Sequence, residues 1–154
     1  MDVAGRIVDA LRRYGQDAAR LGQVFAARND LQQADLRALV AIMQAERAGA
    51  PLTPGRLREI LRLSSGGTSV VVDRLERNGH VLRSRDHPAD HRVVHLHQTP
   101  TGTATAEAFF RPLVARTRRL VEEFSPAERE VIARFLEASA AELSAHVSEL
   151  ESGG

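Results

Sequence analysis

The chain has 154 residues, 43% of them hydrophobic, with 21 basic and 20 acidic side chains and a formal net charge of +1. That is enough apolar matter for the core of one ordinary domain, and no apolar run reaches the ~18 residues that would cross a bilayer. Cysteine is absent and every basic residue is an arginine, which excludes disulfides, thiolate catalysis, zinc–thiolate sites and lysine-dependent chemistry together.

The first predicted element is a helix over residues 3–28. Val3, Ile7, Leu11, Tyr14, Ala18, Leu21 and Phe25 recur at steps of three and four and form one apolar stripe, opposite Arg6, Arg12, Arg13, Asp17 and Arg20. Asn29-Asp30 breaks the pattern. A second helix is predicted over 33–47, with Leu36, Leu39, Val40 and Met43 inward, and Gly49-Ala50-Pro51 ends it.

Thr53-Pro54 is a strong helix start, because threonine caps free amides and proline suits the first helical position. The helix it opens is short, 54–61, with Leu57, Ile60 and Leu61 inward. Leu63-Ser64-Ser65-Gly66-Gly67 makes a turn into a further helix, which runs to Asn78 and is stopped by Gly79. On that helix Thr68, Val71, Val72 and Leu75 share the core-facing side. Gly67, Ser69, Val70, Asp73, Arg74 and Arg77 are expected to point outward.

Two short alternating runs follow, Val81–Arg85 and Val93–His97, separated by the polar segment Asp86–Arg92. They predict a β-hairpin with a long tip. Thr99-Pro100 opens another helix reaching Glu123. Ser125-Pro126-Ala127-Glu128 is a capping box that opens the last helix, and Gly153-Gly154 is frayed tail. The expected fold class is mainly α with a small β-hairpin wing (α+β). Its centre, helix–turn–helix–hairpin, is a winged helix-turn-helix lobe.

Charge is unevenly laid out. Residues 53–99 hold eight arginines against five acids, whereas residues 100–154 hold six against nine. A basic centre of this kind can supply a nucleic-acid footprint by displacing counterions from phosphates. The small residues opening the helix at Ser65 let its end approach a groove or phosphate, and hydroxyls can bond base edges or phosphates. On the hairpin, Arg83, Arg85 and Arg92 flank the tip, where an arginine can enter a minor groove, and Asp90 can fix the rotamer of Arg92.

The segments Leu63–Ser69 and Val72–Gly79 resemble the recognition helix of MarR-family transcriptional regulators. Asp90-His91-Arg92, followed by Leu96, Thr99 and Gly102, resembles that family's wing and its exit into the next helix, and Phe124–Arg129 its penultimate turn. The resemblance implies a double-stranded DNA operator as partner and an obligate homodimer. Residues 1–30 and 100–150 would form the dimerisation region, residues 31–99 the DNA-binding lobe, and 151–154 a flexible tail. It implies DNA contacts from Ser64, Ser65, Gly67, Thr68, Ser69, Val70, Arg74 and Arg77 of the recognition helix, and from Arg83, Arg85, Asp90, His91 and Arg92 of the wing. Val70 departs from the family pattern, where a polar or basic side chain commonly faces the groove. The resemblance also implies a cleft for a small aromatic or phenolic effector, for which Tyr14, Arg37, Phe109 and Phe110 offer aromatic faces and a cation.

Other readings stand beside this one. No dinucleotide, phosphate-loop, nucleophile-elbow or zinc-protease motif points to an enzyme. His87, His91, His95 and His97, with Asp86 and Asp90, would suit a metal-responsive wing. A helical interaction module that binds no DNA would use the same helices but leaves the arginine-flanked hairpin without a purpose. No cofactor, no metal and no membrane partner are expected. With no N-terminal leader pattern, the expected location is the cytoplasm.

Overall fold

The computed structural model describes residues 2–85 and 92–153. Six helices and one hairpin follow in the order α1 (Val3–Arg28), α2 (Gln33–Arg47), α3 (Pro54–Leu61), α4 (Ser65–Arg77), β1 (Val81–Ser84), β2 (His95–Gln98), α5 (Pro100–Glu122) and α6 (Pro126–Ser152). The chain forms two compact units, Met1–Phe109 and Phe110–Gly154.

The local signals act as their chemistry requires. Thr53 accepts the amide of Arg56 at 3.2 Å, and Ser64 accepts that of Gly67 at 3.0 Å. Ser125 and Glu128 form the reciprocal capping box, and hydrogen bonds from Ser125 hold the Glu128 carboxyl below the usual carboxylate range. Gly79 takes φ +73° just beyond α4, a conformation that costs a side-chain-bearing residue energy.

The core lies in the first unit. Ala38, Leu39 and Ile42 of α2, Leu57 and Leu61 of α3, and Val71, Val72 and Leu75 of α4 are buried together with Leu52, Val81 and Leu96. The hairpin is antiparallel, pairing Val81 with Gln98 and Arg83 with Leu96, and Leu52 bridges to Leu96 on the far side. The inner faces differ from the expected ones at two places. On α2, Val40 is 37% exposed, and Asp35, Ala38 and Ile42 face inward. On α3, Ile60 is 44% exposed. An eight-residue helix has room for only two core contacts, and Leu57 and Leu61, four apart, take them.

Only Phe25 and Ala26 of α1 are buried. In the second unit the end of α5 turns into α6, where Arg129 donates from Nε to the carbonyl of Val121 at 2.9 Å and from Nη2 to that of Glu122 at 2.8 Å. These bonds satisfy carbonyls that the end of α5 leaves open. No residue of α6 is buried. No helix among the described residues is long and apolar enough to cross a membrane.

The first turn of α5 is fixed to the corner between α4 and β1 by backbone contact. Thr99 donates its amide to the carbonyl of His80 at 3.0 Å and its hydroxyl to the carbonyl of Gly79, and its Oγ accepts the amide of Gly102 at 2.8 Å. A Cβ on Gly102 would lie 2.6 Å from the His80 carbonyl oxygen. Gly102→Ala is therefore expected to cost about 3 kcal/mol or more, since backbone rather than a side chain would have to move. Chemical denaturation measures it.

His80 itself is 4% exposed and packs near Phe25, and its Nδ1 has no hydrogen-bond partner among the described residues. Burial pushes its pKa below the usual 6.5. The unfolded chain then binds a proton that the folded chain refuses. The contribution of His80 to stability is full above pH 6.5 and is lost as pH falls towards its lower folded value. Comparing denaturation of the wild type and His80→Leu between pH 7.5 and 5.5 is expected to show a shallower pH dependence in the variant.

Candidate nucleic-acid interface

The helix-turn-helix pair is α3 and α4. Ser64 caps α4, and its neighbour Ser65 accepts a hydrogen bond from Arg58 Nη1 of α3 at 3.1 Å. Arg58 thus stands beside the free amides opening α4. Its position on the short α3 was the available signal, and the sequence reading did not single it out.

The outward face of α4 carries Ser65, Gly66, Ser69, Val70, Asp73 and Arg77, all exposed. Two of the expected contact residues are turned elsewhere. Thr68 is 3% exposed and donates its hydroxyl to the Ser64 carbonyl at 2.9 Å, in keeping with its place on the core side. Gly67 gives its amide to the Ser64 cap, and a Cβ there would sit 3.3 Å from the cap oxygen, so its smallness serves the turn.

Arg74 is the larger correction. It does not point outward: its Nη1 lies 3.0 Å from Oδ2 of Asp35 on α2, with only 22% of its side chain exposed. Asp35 is fully buried and the same Oδ2 accepts the amide of Gln32 at 2.7 Å, so one carboxylate both caps α2 and ties α4 to it. Its Oδ1 has no partner among the described residues. Burying an unpaired charge costs far more than a good pair returns. Removing the arginine strands a carboxylate that cannot reach solvent, whereas removing the carboxylate frees an arginine already near the surface. Arg74→Leu is therefore expected to cost about 3 kcal/mol or more and Asp35→Asn distinctly less, with the double variant less costly than the sum of the two. Denaturation of all three variants reads this out.

Arg83 is likewise committed. It pairs with Glu76 and Asp73 of α4, the latter at 2.7 Å, and its amide donates to Glu76 Oε1 at 3.0 Å. The first strand of the wing is clamped to the recognition helix by this arginine. β2 is anchored from the other side, where Glu46 of α2 accepts the amide of Gln98 at 3.1 Å and lies 3.0 Å from Nδ1 of His97. Arg85 and Arg92 are exposed at the two ends of the hairpin arms. Asp90 and His91, with Asp86 and His87, lie outside the described residues. The rings of His95 and His97 are 6.3 Å apart, and no group of three or more metal-ligating side chains occurs among the described residues.

Of the residues expected to line an effector cleft, Tyr14 and Phe109 stand apart within the first unit. Phe109 packs edge-on against Phe25 at 5.2 Å between centroids, with the Arg28 guanidinium 5.6 Å from the Phe109 ring centre. Tyr14 is 70% exposed and stands eleven residues before Phe25, about 16 Å away along α1 at the helical rise. It cannot share a small pocket with Phe109 within one chain. Arg37 is exposed on α2, and Phe110 falls in the second unit. Phe25 and Arg28 are the partners of Phe109 that sequence reasoning missed as a cluster, although their spacing of three on one helix brings them side by side.

A short helix-turn-helix braced to an antiparallel wing, with a basic net charge, defines a winged helix-turn-helix DNA-binding protein. A MarR family model matches residues 29–93. The chain is 31% identical over 129 residues to the HTH-type transcriptional regulator YcgE of Bacillus subtilis, covering 84% of this chain and 80% of that one. It belongs to the MarR family of transcriptional regulators. A MarR family protein from Bacillus stearothermophilus has a similar structure, with a TM-score of 0.63, 25% identity and coverage of 94% of this chain and 99% of that one. S. aureus MepR shares the fold at 19% identity, both in a complex with DNA (TM-score 0.55, 86% of this chain, 96% of that) and bound to ethidium bromide (0.60, 88% and 95%).

Proposed function

We propose that the protein is a homodimeric repressor that reads a palindromic operator and is released from it by a small aromatic ligand. The observation that carries the DNA reading is the short-side-chain face of α4 set beside a wing whose arms end in Arg85 and Arg92. Ser65, Ser69, Val70 and Arg77 meet the major groove, Arg58 and Ser64 meet the phosphates at the opening of α4, and the wing reaches the minor groove. Arg74 and Arg83 position these elements rather than touch bases.

The dimer reading rests on apolar surface. Val3, Val8 and Tyr14 of α1 are 69%, 59% and 70% exposed, and Leu120, Val131, Leu143 and Leu150 of the second unit are 55%, 55%, 67% and 67% exposed. Long helices with this much uncovered carbon mark an interface, and two-fold closure is the default. Residues 1–30 and 100–150 then form the dimerisation region and residues 31–99 the reading lobe. Two recognition helices must sit about 34 Å apart to engage one face of the duplex. Phe109, half-buried and packed on Phe25 under Arg28, offers a ligand one aromatic surface beside a cation, which suits an aromatic anion.

Light scattering at low micromolar concentration is expected to give a dimer; a stable folded monomer overturns that part. Titration of a selected duplex is expected to lose at least about a hundredfold in affinity between ~50 and ~200 mM salt. Arg92→Ala is expected to weaken binding by about 1–3 kcal/mol, most on A·T-rich flanks, with thermal stability unchanged. Salt-independent or absent DNA binding would favour a helical interaction module. Affinity that requires added divalent metal would favour a wing that responds to metal.

A further inference from the structure

Val70 is 54% exposed on α4, although Val71 and Val72 beside it are buried. A lone exposed valine is ordinary on a protein surface. Its surroundings set this one apart. Ser65, Gly66, Ser69 and Asp73 share its outward face, and all have short side chains. A helix edged so thinly can bring its backbone close to a groove floor, and the valine methyls become its foremost carbon surface. Arg74, one turn further along α4, is held by Asp35, and Arg83 by Asp73 and Glu76. The β-branched side chain is stiff about χ1, so it loses little freedom on contact.

Only one base presents an apolar group in the major groove, the C5 methyl of thymine. Asp73, three residues on along the same face, adds a carboxylate that accepts from the amino group of cytosine and repels the acceptors of guanine. We infer that Val70 is a specificity-determining residue that selects thymine in each half-site through its methyl group. The inference rests on the operator reading above and adds to it the base that α4 prefers.

The test uses the full chain. A duplex is selected from a randomised pool, and each thymine is then replaced in turn by deoxyuridine, which removes the methyl and leaves every hydrogen-bonding edge intact. At one position per half-site, deoxyuridine is expected to weaken wild-type binding about fourfold, the value of one buried methyl. Val70→Ala is expected to bind that position with less than about twofold preference for thymine, with an unchanged salt slope, since no phosphate contact is lost. Alanine is the better helix former at an exposed position, so the variant is expected to melt like the wild type. Retention of the full thymine preference by Val70→Ala, or a wild type indifferent to every methyl, overturns the inference while the operator reading stands. Failure to enrich any duplex overturns the operator reading and this inference with it.

Discussion

The lobe depends on a single buried carboxylate. Asp35 closes the first turn of α2 by accepting the Gln32 amide and fixes α4 by accepting from Arg74, 39 residues further on. A hydrophobic contact would hold the two helices together but leave them free to slide, because apolar burial is non-directional. The ion pair adds a direction. It places the outward face of α4 at one rotation, and that rotation puts Ser69, Val70 and Asp73 at the surface and turns Thr68 inward. Oδ1 of Asp35 has no hydrogen-bond partner among the described residues. A well-packed apolar pair of similar volume is often as stable as a buried ion pair.

The same logic governs the wing. Arg83 is bonded to two carboxylates of α4, and Glu46 of α2 holds β2. A two-stranded hairpin has little stability alone. Here both arms are tied to helices by charge-assisted bonds, so its position relative to the recognition helix is set before any DNA arrives. Rigidity of this kind reduces the ordering cost of binding. The arginines of the centre therefore divide by role. Arg74 and Arg83 brace the lobe through carboxylates, whereas Arg58 and Arg77 are exposed.

Much of this was legible from local chemistry. The helix starts at Thr53-Pro54, Ser64 and Ser125-Pro126 and the stop at Gly79 depend on neighbouring residues only, and periodicity placed Val71, Val72 and Leu75 in the core. What local pattern cannot carry is the identity of a distant partner. Arg74 lies on the outward side of a helical wheel, and nothing within its own helix shows that Asp35 will meet it. Val40 and Ile60 look like core by type, yet their helices are covered on one side only. Tyr14 and Phe109 stand apart for a related reason: apolar type and helix membership say nothing of the 16 Å or so that eleven residues put between Tyr14 and Phe25, the neighbour of Phe109.

The corner at His80 joins the first turn of α5 to the lobe through backbone contact. Thr99 bonds to the carbonyls of both Gly79 and His80, and Gly102 lets the first turn of α5 touch the His80 backbone. Backbone in contact with backbone leaves no soft side chain to absorb a displacement. His80 follows the end of α4 and precedes β1, so the start of α5 is bonded to the corner that joins the recognition helix to the wing. The bonds at this corner, from Thr99 to the carbonyls of Gly79 and His80, all lie at the first turn of α5 and not around Phe109. The contacts that set the rotation of α4, Asp35 with Arg74, are therefore a different set from those that fix the start of α5, Thr99 and Gly102 against Gly79 and His80.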